Sequence, residues 1–284
     1  MKQISYFHAG PITLAIVAFV VVSSTASASP DSILGSASDY SVLGINGAIT
    51  NLSSGPLRIN GNVGEGDNSQ LNFSGGGQII GEVDYASSAT LNTGGNTISG
   101  GTHQTNFSPI EQSVQNLVNY ANSLSPTQTF SSITSPMTLV GDGGQNVISI
   151  TNDIHLSGGN LTLSGSASDV FIFQIKGTME LSGNTDIILT GGLTPNNVVW
   201  DFIGSGSQFQ TSGQSDTAGI FLAPQRVINI NGGVHDSEFI SGVTLSFQSN
   251  PVLLQPTPEP SSLALLAFGA GGIIIALRRL RKVA

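Results

Sequence analysis

Apolar residues in this chain come in runs of about four to six, and each run is closed by Gly, Ser or Asn. That punctuation reads as short strands between turns. Examples are 57–63, 147–156, 160–163, 170–175, 186–189, 198–203, 227–230 and 243–247. Several alternate with period two, as in Ile148-Ser149-Ile150 and Leu161-Thr162-Leu163, so one face of each is buried and the other wet. Gly takes 36 of 284 positions, about twice its ordinary share, but keeps no three-residue period, which excludes a collagen. With 39% apolar residues the chain can bury a core. The absence of Cys excludes a disulfide framework, a Cys-type zinc site and a thiol nucleophile.

A corner theme recurs at Phe73-Ser74-Gly75, Leu156-Ser157-Gly158, Leu163-Ser164-Gly165 and Leu181-Ser182-Gly183. An apolar residue before Ser-Gly suits the bend of a β-solenoid, since Gly tolerates the turn and Ser can bond the freed backbone. The theme has no fixed period, so a regular repeat protein is not supported. An irregular solenoid and a β-sandwich both remain. One segment reads as a helix, about 108–124: Ser108 and Glu111 suggest a capping box, Pro109 suits the first turn, and Ile110, Val114, Leu117, Ala121 and Leu124 share one stripe. The expectation is an all-β fold with one flanking helix.

The two ends read as addresses. Residues 1–28 carry Lys2, an apolar stretch from Ile12 to Val22, and Ala26-Ser27-Ala28, which suits signal peptidase cleavage after Ala28. The alternative is an uncleaved anchor. Residues 256–284 hold Pro258-Glu259-Pro260, an apolar stretch from Ser261 to Leu277, and Arg278, Arg279, Arg281 and Lys282. Such a stretch is just long enough to span a membrane, with its cations on the cytoplasmic side. This tripartite order resembles the PEP-CTERM sorting signal of Gram-negative bacteria. The resemblance implies an inner-membrane intermediate, exosortase as processing partner, and delivery to the cell surface or matrix. A plain single-pass anchor is the alternative. Between the ends, residues 29–255 form the ectodomain, with sixteen acidic residues against Arg58, Lys176 and Arg226. A formal charge of −13 repels nucleic acid and anionic lipid.

The ectodomain carries a second resemblance. Leu34 to Gly44, Ile59-Asn60-Gly61-Asn62-Val63-Gly64, Asp169 to Ile175, Asn197-Val198-Val199-Trp200 and Gly219 to Pro224 are similar, in order, to stretches of the ice-binding-like family. The resemblance implies a right-handed β-solenoid of triangular section with one long helix alongside. Leu222-Ala223-Pro224 with Asn231-Gly232 also resembles the choice-of-anchor A surface proteins. Ice affinity in such a fold depends on a flat face lined by Thr or Ser. Thr151, Thr162, Thr178, Thr190 and Thr211 are the candidates, unevenly spaced.

Catalytic constellations are missing from the sequence. There is no G-x-S-x-G, no P-loop and no H-E-x-x-H, and His103, His155 and His235 are far apart. Glu65 with Asp67, and Glu82 with Asp84, sit two apart and could share a strand face as calcium ligands or a glycosidase pair. Trp200 lies inside an apolar run and reads as core. The expected function is that of an exported, non-enzymatic surface or matrix protein without cofactor, adhesive or bound to exopolysaccharide. The alternatives are ice binding, and a carbohydrate-active enzyme resting on the paired carboxylates alone.

Overall fold

The computed structural model describes residues 29–53 and 55–254, which form a β-solenoid of three sheets with 14, 8 and 3 strands. Residues 1–28, expected to be a signal segment, and the tail with Pro258, Glu259, Pro260, Arg278, Arg279, Arg281 and Lys282 lie outside the described residues. Among the described residues no helix is long and apolar enough to cross a membrane. The strands pair in parallel throughout, which removes the β-sandwich alternative. Parallel stacking places like positions of successive coils on top of one another. Phe173, Trp200, Phe221 and Phe239 follow one another in register, with ring centroids 4.0, 5.7 and 5.3 Å apart. Trp200 is fully buried and donates from Nε1 to the Ala218 carbonyl at 3.0 Å.

The runs at 57–63 and 147–156 are not single strands. Each splits in two, Arg58–Ile59 with Asn62–Glu65 and Gln145–Ile150 with Ile154–Ser157, because Asn60-Gly61 and Thr151 to Asp153 take coil corners. Coil length also varies. One turn of the solenoid separates Thr211 from Asn231 by 20 residues, Asp153 from Thr178 by 25 and Thr185 from Ser215 by 30. Loops absorb the difference while the stacked strands stay in register, which is why the corner theme shows no period.

Coil order in space is not chain order. Across the eight-stranded sheet the strands run Ile154–Ser157, Met179–Ser182, Phe209–Thr211, Val227–Asn231, Thr244–Gln248, Ile49–Leu52, Gln70–Phe73 and Thr90–Asn92. The chain therefore starts mid-solenoid, winds to one end, crosses to the other and winds back until its first and last coils pair, Val42 beside Phe239 and Ile49 beside Thr244.

The crossing is made by the helix Ser108–Ser123, which buries Ile110, Val114, Leu117 and Ala121 as the stripe predicts. They pack on Leu43, Ile172, Val199, Ile220, Leu222 and Ile240, outward residues of the 14-stranded sheet. A short helix, Pro30–Leu34, packs beside it and was not expected. The capping box does not form. Phe107 is the N-cap, and Glu111 Oε1 instead accepts from the amides of Asn46 and Asp67, each at 3.2 Å, tying the helix to two coil corners. At the other end Gln174 Nε2 donates to the carbonyls of Ala121 and Leu124, which a helix C-terminus leaves without partners.

The interior holds titratable groups whose burial sets a pH dependence. Glu65 faces inward beside Thr50, and burial pushes its carboxyl up to about 8, a shift the Thr50 hydroxyl opposes in part. Burial raises Asp201 to about 7, with Arg226 opposing. His235 is pushed down to about 4 by burial. Its Nε2 donates to the Gly232 carbonyl and its Nδ1 accepts from Thr217, the arrangement of a neutral ring. The two acids keep protons in the folded chain that the unfolded chain has released, so stability falls as pH rises toward 8. His235 works oppositely, costing stability only below its unfolded value of 6.5. Chemical denaturation should therefore show stability falling between pH 6.5 and 8.5 by an amount on the order of a few kcal/mol. Glu65→Gln should flatten most of that slope; an unchanged slope would place the titration elsewhere.

Candidate functional site

The helix buries the outer side of the 14-stranded sheet along much of its length. The eight-stranded sheet is different: its strands alternate buried and accessible residues, so one side faces water. Register fixes what that side displays. A central column runs His155, Glu180, Gln210, Asn229, Ser246, Asn51, Asn72, Asn92, one residue per strand. A second column runs Val227, Thr244, Ile49, Gln70, Thr90. Strand geometry spaces neighbours within a column by about 4.8 Å and the columns by about 7 Å.

The amides of this face hold one another. Asn72 Nδ2 donates to Asn51 Oδ1 at 3.0 Å, Asn92 Nδ2 to Asn72 Oδ1 at 3.0 Å, and Gln70 Nε2 to the same Asn72 oxygen at 2.7 Å. Asn229 Nδ2 donates to Gln208 Oε1 at 2.7 Å, Gln208 Nε2 to Gln210 Oε1, and Gln248 Nε2 to Ser246 Oγ at 3.2 Å. Each carboxamide has two N–H donors and an acceptor oxygen, so capacity remains to meet a partner from fixed positions. The six strands from Phe209–Thr211 to Thr90–Asn92 display no charged side chain on this side. Charge begins at the far end, where His155 Nδ1 lies 3.2 Å from Glu180 Oε2.

The five Thr candidates do not assemble into one column. Thr151 is exposed at a corner, and Thr178 sits at the next coil's corner with its amide donating to Asp153 Oδ1 at 2.7 Å. Thr162 and Thr190 lie on the three-stranded sheet, Thr162 between Thr138 and Ile188, Thr190 beside Ser164. Thr211 is turned inward: it is 1% exposed, stacks beside Leu181, and accepts from the Asn231 amide at 2.9 Å. It shares its side with the buried Phe209 two residues earlier. The asparagine ladder is what the sequence reading missed. Its signal was present in Asn51, Asn72 and Asn92, each between or beside apolar residues at intervals of 21 and 20.

Glu65 and Asp67 do not share a face, since Glu65 points into the core and Asp67 lies in a turn accepting from Ser88. A cleft of about 320 Å³ near the helix start is lined by Asp67, Gln104, Thr105, Asn106 and three further residues, with one carboxylate and no His. It therefore lacks a paired acid and base.

Comparison with known proteins fits this geometry. The ice-binding-like family model matches residues 43–252, and the PEP-CTERM protein-sorting motif matches residues 256–282. An ice-binding protein of Nostoc sp. (strain HG1) is 29% identical over 289 aligned positions, covering 95% of this chain and 96% of that one. One of Flammulina populicola is 41% identical over 88 residues, which is 31% of this chain and 32% of the relative. The match thus spans about a third of that relative's length. Among solved structures, an ice binding protein from an Antarctic bacterium of the Flavobacteriaceae superposes with a TM-score of 0.59 at 24% identity, over 80% of this chain and 48% of that one. This likeness shows a shared fold.

Proposed function

This chain belongs to the ice-binding-like family, and from that premise we propose that its uncharged eight-stranded face binds the surface of ice, without catalysis. One observation carries the reading: six adjacent strands offer Asn, Gln, Ser and Thr with Val227 and Ile49, and no charge, on an ectodomain of formal charge −13. A charged group would hold its own hydration shell against a crystal plane. Amides fixed by one another lose little freedom on contact, so many weak contacts add up. The relatives named for ice binding support the same reading. Before that, residues 1–28 direct export with cleavage after Ala28. The tail holds the chain in the inner membrane until exosortase acts near Pro258-Glu259-Pro260, leaving the ectodomain 29–255 at the cell surface or in the matrix. Ice-recrystallisation inhibition by the 29–255 fragment, beside an inert acidic protein, tests the core of this. Inhibition at micromolar concentration is expected, and equality with the control overturns it.

A second reading, adhesion through exopolysaccharide, is favoured by the sorting motif at 256–282 and by the ladder's regular rows of amide donors and acceptors. Pull-down by a neutral polysaccharide, with loss of cell attachment on deleting the ectodomain, is its expected result. Retention and attachment unchanged by the deletion would remove it.

A further inference from the structure

Glu82 and Asp84 flank Val83, and because Val83 points into the core both carboxylates leave the solenoid on the same side. The last strand of that end, Thr102–Gln104, pairs with Val83–Tyr85 so that His103 stands directly beside Asp84. His103 Nδ1 lies 3.5 Å from Glu82 Oε2 and 3.7 Å from Asp84 Oδ1, and a ligand atom from each of the three falls within 4.8 Å of the others. A cation of zinc's size holds N and O ligands at about 2.0–2.2 Å in a tetrahedron, whose edges are then about 3.3–3.6 Å. Both distances to the imidazole are close to such an edge.

We propose that Glu82, Asp84 and His103 bind a zinc-class divalent cation at this end of the solenoid. The donor set decides the class. An imidazole with two carboxylates suits zinc and its transition-metal neighbours, whereas calcium takes six to eight oxygens. The surroundings are built to aim the ligands. The Tyr40 hydroxyl donates to Asp84 Oδ2 at 2.9 Å, leaving Oδ1 turned toward His103. To reach it the Tyr40 ring crosses Gly64, where a Cβ would lie 2.7 Å from Leu43 Cδ1 and 3.0 Å from the ring, so a larger residue there would press on the bridge. Tyr40 itself is held by packing, 5% exposed and 6.1 Å from the Phe107 ring. The cation would clamp the outermost strand onto its neighbour and leave a position open to solvent. This inference stands independently of what the amide face binds.

Titration of the tag-free full-length chain in detergent with zinc chloride, read by calorimetry and by thermal shift, tests it. One zinc per chain is expected, with a raised melting temperature, and cobalt should bring up the visible absorption of a tetrahedral site. Loss of a ligand should cost more than the 10–100-fold of a lost supporting partner, so His103→Ala and Glu82→Gln should each weaken binding by at least about 100-fold. Tyr40→Phe, which keeps the ring, should weaken it by about tenfold. His155→Ala removes an exposed His facing a single carboxylate, Glu180, and should change nothing. Absence of zinc uptake, binding unaffected by His103→Ala, displacement of zinc by equimolar calcium, or binding that depends on His155 would each overturn the proposal.

Discussion

Replacing Arg226 by Met should lower the stability of the solenoid by about 3–5 kcal/mol, because five hydrogen bonds from one side chain are lost at once. Arg226 is 2% exposed and lies just beyond the strand Thr217–Ala223, at a corner of the solenoid. Its guanidinium donates to five backbone carbonyls: Gly204 from Nε at 2.9 Å, Gly177 and Ser207 from Nη1, Lys176 at 2.8 Å and Ile203 from Nη2. These carbonyls belong to the corners of two earlier coils, so one side chain ties three coils together. Met fills part of the volume but supplies no donor to these part-buried carbonyls, and each hydrogen bond lost costs about 0.5–1.5 kcal/mol net. Arg226→Lys should recover less than half the loss, since an ammonium has three donors and cannot span the fork. Urea unfolding gives the midpoint and slope that measure this. A loss under about 1 kcal/mol would mean that water replaces the guanidinium and that the corner is not held this way.

The double substitution Asn72→Lys with Asn229→Lys should abolish ice-recrystallisation inhibition while leaving the solenoid folded, though less stable. Both side chains point outward and are half-buried, so a lysine can lift its ammonium into water along the face. Asn72 contributes three hydrogen bonds within the ladder and Asn229 one. Hydrogen bonds of this kind, mostly part-buried, are worth about 0.5–1.5 kcal/mol each, so the four together cost about 2–6 kcal/mol, and a retained cooperative urea transition checks that the variant folds. The functional effect is larger because two hydrated cations stand at the centre of a face that otherwise carries none. A tenfold or greater rise in the concentration needed to stop recrystallisation is the expected readout. As a control, Thr162→Lys with Thr97→Lys adds the same charge on other strands and should retain activity. If the control loses activity and the ladder variant keeps it, the three-stranded sheet with Thr138, Thr162, Ser164 and Thr190 becomes the binding surface. Loss of neutral-polysaccharide retention by the ladder variant, with no change in ice activity, would favour the adhesive reading.

Much of this architecture was legible from local pattern. The apolar stripe at 110–121 identified the helix and its buried side, and the runs at 170–175 and 198–203 marked the central strands. The ends of the strands were less legible at 57–63 and 147–156. A solenoid corner can be made by Asn-Gly or Thr-Asn-Asp as well as by the Ser-Gly theme. The Thr candidates fared worst. Alternation tells that every second residue shares a side, but in a strand as short as Phe209–Thr211 it does not tell which side is inward. Thr211 followed Phe209 into the core, while Asn51, Asn72 and Asn92, which look like ordinary turn residues, came to stand in one row.

What the sequence by itself determined is whatever depends on neighbours a few residues apart. It set strand rather than helix, one amphipathic helix, an acidic middle and the sorting motif of the tail. The tertiary structure alone decided which coil lies beside which. The first coil pairs with the last, joining Gly44 to Ser241, because stacking the two halves buries their ends and satisfies their strand edges. That choice brings Asn51 beside Ser246 and so makes the uncharged face continuous across the junction. Coil stacking likewise carries Arg226 to carbonyls 49 and 50 residues away and brings Tyr40 to Asp84, 44 residues on. Such pairings rest on hydrogen bonds and burial between segments remote in the chain, and no local pattern of residues encodes them.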